Sequence, residues 1–243
     1  MTDAARASKA PRTWYFLGTL GFTLLATSAS MLGGLLTFAI LTRLQHVRAS
    51  SELFDQTYWQ TVIQLGALPC ELGVIWLAVR LARRRFSEYL ALRWPTRDEV
   101  ILALLVMFII DCTISSLAQS IGVTADAGVI AEFRRAQRDG PLLFFLFLVI
   151  GCIGAPLVEE FAVRGFMMRG WSASCLRPAG AIVLSSAFWA LCHTQYEWFG
   201  VFEIFLVGLV LGFFRHRSGS TWLTVIVHSA DNMLIYFLLG LTT

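Results

Sequence analysis

The chain has 243 residues, 57% hydrophobic, 13% aromatic and only 14% charged, with a formal net charge of +3 and a mean hydropathy of +0.68. That balance excludes an ordinary soluble domain. It also argues against a nucleic-acid partner, because the basic residues fall in short clusters between apolar runs and form no long stripe.

Residues 1–13 form a polar, basic tail. The apolar run behind it, 14–43, is too long for a signal-peptide core and lacks a small-residue cleavage site, so it reads as a retained first span. Further spans are expected at 58–82, 98–122, 141–169, 179–196, 198–215 and 220–241, most of them near the ~20 residues a helix needs to cross a bilayer. The expected fold class is therefore all-α: a polytopic transmembrane helical bundle of about seven spans, forming one domain over 14–243.

Between the second and third spans, Arg80, Arg83, Arg84, Arg85, Arg93 and Arg97 crowd one short loop, closed by Pro95. With the N-terminus inside, this loop joins Arg6, Lys9, Arg12, Arg169, Arg177, Arg215 and Arg217 on the inner side. Only Arg43, Arg48, Arg134, Arg135 and Arg138 fall outside. The asymmetry predicts a cytoplasmic N-terminus. The stretch 123–140, with three of the outer arginines, is expected to add an amphipathic interfacial helix. The five cysteines, Cys70, Cys112, Cys152, Cys175 and Cys192, show no C-x-x-C spacing and read as small buried hydrophobes.

Ionisable residues inside spans are costly and tend to mark function. Here they are Glu71, Asp111, Glu159, Glu160, Arg164, His193, His228 and Asp231. Glu160 and Arg164, four apart, share a helix face and are expected to pair. Glu159 is turned about 100° from them and lacks that partner. Pro156 cannot donate to the carbonyl of Cys152 and is expected to kink the span just before the acids. His228 and Asn232 also share a face, with Asp231 off it. Trp189 stands one turn before His193. By helical rise Glu159, His228 and His193 lie about 15, 12 and 21 Å from the inner ends of their spans, depths compatible with one site. Glu71 and Asp111 read as interhelical hydrogen-bonding groups. Two histidines and a carboxylate suit water activation, metal binding, or both.

Three stretches in order, "EEFAVR" at Glu159, Glu160 and Arg164, "WALCH" ending at His193, and "HSADN" at His228 and Asn232, resemble the E-E-x-x-x-R, F-x-x-x-H and H-x-x-x-N motifs of the CPBP intramembrane proteases. That family includes the CAAX prenyl endopeptidases of the Ras-converting-enzyme type and the bacterial Abi and bacteriocin-processing proteins. Trp189 stands where the family usually has Phe, a change expected to touch wall packing. The resemblance covers about residues 140–240 and implies an endopeptidase acting on a peptide or membrane-protein substrate in or near the bilayer. It implies that Glu159 and His193 activate water, that His228 and Asn232 stabilise the oxyanion, and that Glu160 and Arg164 support the site. Glu159, His193 and His228 make a His₂Glu set that would suit zinc, and would equally serve a metal-free glutamate-type protease. The short loops resemble bacterial members, so the expected location is the bacterial inner membrane. A non-proteolytic scaffold or immunity protein of the same family, and a transporter using the intramembrane charges, are the alternatives.

Overall fold

The computed structural model describes residues 12–48, 50, 53, 56–123, 127–193 and 195–242. Arg6 and Lys9 of the basic tail lie outside the described residues. All regular structure among the described residues is helical. In chain order the helices are α1 (Phe16–Leu44), α2 (Thr57–Leu81), α3 (Phe86–Tyr89), α4 (Arg97–Ser120), α5 (Ala127–Arg138), α6 (Pro141–Ser172), α7 (Arg177–Leu191), α8 (Trp198–Ser218) and α9 (Thr221–Thr242).

Six of these, α1, α2, α4, α6, α8 and α9, are long and apolar enough to cross a membrane. Their outward faces carry large apolar side chains such as Leu17, Met31, Leu36, Ile101, Phe108, Phe145 and Phe237, which only a lipid environment makes inexpensive. The chain is thus an integral membrane protein. The seventh expected span is α7, whose 15 residues reach only about 22 Å. It stops at Leu191, short of the expected 196.

The interior explains why the bundle closes. Trp171, Tyr89, Phe166, Leu90 and Leu211 are almost fully buried, and Tyr89 stacks on Phe166 at 5.6 Å. The arginine-rich loop after α2 is bound into one end of the bundle by hydrogen bonds to four other segments. Arg169 Nη1 donates to the Glu88 carbonyl at 3.1 Å, and Arg93 Nη2 donates to the Ser218 carbonyl at 2.6 Å. The Thr221 hydroxyl donates to the Leu90 carbonyl, and Arg12 N–H donates to Ala82 O at 3.1 Å. The clusters that sequence asymmetry assigned to one side therefore do share one end. At the start of α4, Thr96 and Glu99 cap each other's backbone in a reciprocal box, which satisfies two otherwise orphan donors.

The helix α5 is amphipathic. Phe133 is buried against Phe144, Phe147 and Tyr236, while Arg134 is exposed. Cysteine exposure differs from expectation: only Cys152 is buried, whereas Cys70, Cys112, Cys175 and Cys192 are free and exposed. The Cys70 thiol packs against Gly33 of α1, where a Cβ would lie 2.5 Å from Sγ, yet the residue remains exposed.

Candidate active site

The site begins with an irregular helix. Within α6 an α-helical turn, Ala155–Glu160, is flanked by two wide π-helical segments, Ile150–Gly154 and Phe161–Met167. Pro156 accounts for the first. It has no N–H for the carbonyl of Cys152, so the ladder re-registers one residue earlier, with Ala155 N–H bonding Ile150 O five residues back. The re-registered ladder lies where the sequence led to the expectation of a kink. The second segment closes with Met168 N–H on Val163 O, again five residues back.

Between the wide turns stand the two acids. Glu160 and Arg164 are both fully buried and pair at 2.9 Å through Oε1 and Nη1, as their spacing predicted. Two further contacts hold the pair. Arg164 Nη2 donates to the Gly208 carbonyl of α8 at 3.2 Å, and His228 Nδ1 donates to Glu160 Oε1 at 3.1 Å. A Cβ at position 208 would lie 2.9 Å from Ser186 Cβ and 3.3 Å from Arg164 Nη2. Glycine is therefore what lets α8 reach the guanidinium. Buried charges persist only when paired and hydrogen-bonded, and here the pair is tied to two other helices.

Glu159, which lacked a partner in the sequence, has one. The indole Nε1–H of Trp189 donates to its Oε2 at 2.8 Å. Trp189 is buried and meets three more site residues. Its ring lies 5.2 Å from that of His193 and 5.3 Å from that of His228, both edge-on. The Arg164 guanidinium sits 4.3 Å over its face, a favourable cation–π geometry.

His193 lies in the turn just past the end of α7. Its backbone N–H bonds back to Ala190 O at 3.0 Å, three residues rather than four. Its ring Nδ1 meets the Trp189 carbonyl at 2.8 Å. A carbonyl only accepts, so Nδ1 carries the proton and Nε2 of the neutral ring is a bare acceptor. His228 Nδ1 faces a carboxylate oxygen and carries a proton too. Asn232 Nδ2 donates to the Gly151 carbonyl at 2.8 Å, which leaves one amide hydrogen uncommitted. Glycine is needed there as well, because a Cβ on residue 151 would lie 2.8 Å from the Tyr236 hydroxyl.

Glu159, His193 and His228 thus come from three segments to one indole, while Asn232, one turn past His228, is bonded to Gly151 instead. A zinc ion on Glu159, His193 and His228 is a different matter. Among the described residues no three His, Cys, Asp or Glu groups are arranged to hold a metal ion. As placed, Glu159, His193 and His228 do not come together as a three-ligand set, and the arrangement does not fit a metal.

Other intramembrane acids border the motif residues without belonging to the motifs. The Ser30 hydroxyl is hydrogen-bonded to Glu71, which is near enough to Glu159 to feel its charge. Asp111 of α4 lies beside Asp231 of α9, close enough for the two carboxyls to interact, with Glu203 of α8 nearby. This pair borders a cavity of about 230 Å³ lined also by Met107, Phe108 and Leu234. Glu203 escaped the sequence reading although it, too, is a charge within an apolar run, which was the available signal.

Neither a curated protein nor a solved structure matches the chain. A family model does, over less than half of its length but over the whole of the site. Residues 141–234 match the family described as Rce1-like, type II CAAX prenyl endopeptidase, in agreement with the CPBP intramembrane protease family that the three motifs resemble.

Proposed function

We propose that the protein is an intramembrane endopeptidase of the glutamate type. The family match supports a CAAX-type intramembrane protease in general terms. The observation that carries the residue-level reading is the convergence of Glu159, His193 and His228 on Trp189.

In this reading a water molecule binds between the free oxygen of Glu159 and Nε2 of His193. Glu159 takes a proton as the water oxygen bonds to the scissile carbonyl carbon, and the carbonyl electrons move onto oxygen. The uncommitted N–H of Asn232 and an Nε2–H of His228 receive that oxyanion. For His228 to donate through Nε2 it must carry both protons, and the Glu160 carboxylate on Nδ1 is the counter-charge such an imidazolium needs. Collapse of the intermediate breaks the C–N bond, and the proton held by Glu159 passes to the leaving amine. Glu160 and Arg164 fix the geometry and do not meet substrate. The substrate is a peptide or membrane protein presented from the bilayer. The N-terminus and the arginine-rich end face the cytoplasm, and the short loops favour a bacterial inner membrane.

The test compares membrane peptides by mass spectrometry in cells carrying the wild-type protein and Glu159→Gln. Peptide termini that appear only with the wild-type protein are expected. Identical peptide populations would refute the proteolytic reading, and vesicle transport by the purified protein would point to the transporter instead.

A further inference from the structure

We infer that Trp189 is a positioning residue that sets both water-activating groups at once, its indole N–H holding Glu159 and its main-chain carbonyl holding His193. The inference rests on the proteolytic reading and adds to it a role for a residue whose expected part was to pack the wall.

Three observations lead to it. First, the indole contact is specific: Nε1–H meets Oε2 of Glu159 at 2.8 Å, so the carboxylate is pinned by one oxygen and its other oxygen is left for water. A phenylalanine here has no donor and would leave Glu159 without the polar contact that fixes its rotamer. Second, the carbonyl of the same residue takes His193 Nδ1 at 2.8 Å, which fixes the tautomer with Nε2 as acceptor. Two bases that must address one water are thereby referred to a single rigid, buried side chain and its own backbone. Third, the Arg164 guanidinium over the ring face at 4.3 Å draws electron density from the indole and strengthens its N–H as a donor. The buried Glu160–Arg164 pair is in this way coupled to Glu159 without touching it.

The two arms of the bracket separate cleanly. Trp189→Phe removes the indole donor and keeps the carbonyl, so His193 stays in place and only Glu159 is released. A hydrogen bond to a charged group lost from a preorganised site is expected to lower kcat about 10-fold or more with KM little changed.

The experiment has two readouts. Kinetics use an internally quenched peptide spanning the bond that the mass-spectrometric comparison identifies. Indole ¹⁵N–¹H spectra of the purified protein supply the second: the resonance missing from Trp189→Phe is that of Trp189, and it is expected to move upfield in Glu159→Gln, whose amide oxygen is a weaker acceptor than a carboxylate. Should Trp189→Phe fail to fold, the benzothiophene isostere of tryptophan installed at position 189 keeps the volume and removes the donor alone. A stationary resonance, or an unaltered kcat in the donor-less variant beside an inactive Glu159→Gln, would overturn the positioning role alone. Full cleavage by Glu159→Gln would overturn Glu159 as the base, and the positioning role with it.

Discussion

Replacing Arg164 with methionine removes the guanidinium paired with Glu160 inside the bundle. The change breaks the 2.9 Å ion pair, the 3.2 Å bond to the Gly208 carbonyl and the contact with the Trp189 face. Glu160, fully buried, keeps the His228 contact and the nearby Thr224 hydroxyl but no guanidinium. Removing one partner of a buried pair costs about 3–5 kcal/mol, because the other charge is stranded. That corresponds to roughly a 10²–10⁴-fold shift in the unfolding equilibrium. Glu160→Met is expected to cost about as much for the same reason. The double substitution, Glu160→Met with Arg164→Met, leaves neither charge of the pair stranded and is expected to cost less than either single change. Reversible unfolding of the purified protein in mixed micelles, titrated with dodecyl sulfate, measures all three. A double variant destabilised by the sum of the singles would refute the account. The refolded double variant is still expected to be inactive, because His228 has lost the carboxylate on Nδ1.

Gly208→Ala is expected to destabilise by about 1–3 kcal/mol, an overpacking cost, because the new methyl would meet Ser186 Cβ at 2.9 Å. Adding Ser186→Gly should restore most of the loss in the same micelle titration, and no recovery would place the strain elsewhere. Burial pushes the Glu132 carboxyl in α5 above the ordinary carboxylate range, with Arg135 opposing the shift. A group whose folded pKa is raised contributes stability that is present below its unfolded pKa and lost as pH rises through the folded one. Hydrogen exchange in α5, corrected for intrinsic rates, should therefore show protection falling as pH rises through that elevated pKa, and Glu132→Gln should abolish the dependence. An unchanged pH dependence in the Gln variant would contradict this.

Much of the architecture was legible because bilayer thickness imposes a length on each span. Runs such as 16–44 and 97–120 announce themselves by apolar content alone. The helix α7 is the exception, since its run of apolar residues outlasts its helix by the turn that delivers His193. Within the site, Glu160–Arg164 was readable from i,i+4 spacing, a local rule. The Trp189–Glu159 and His228–Glu160 contacts join residues 30 and 68 positions apart, and no periodicity encodes them. The carbonyls of Gly151 and Gly208 are harder still, because every residue has a carbonyl, and only tertiary approach shows which ones a side chain will find. The Asp111–Asp231 contact crosses from α4 to α9, so sequence marked both residues as anomalous without revealing that they meet.

A wide turn of the kind that spans Phe161–Met167 holds one residue more than an ordinary helical turn closing the same gap. That wide turn has a residue to spare, but excising one from the regular turn Ala155–Glu160 would rotate everything C-terminal to the excision by about 100°. Arg169, which now reaches the Glu88 carbonyl, would swing away from the loop it fastens. The reading frame of this helix is thus a register as strict as that of a β-ladder, and length changes in it should be far less tolerated than substitutions.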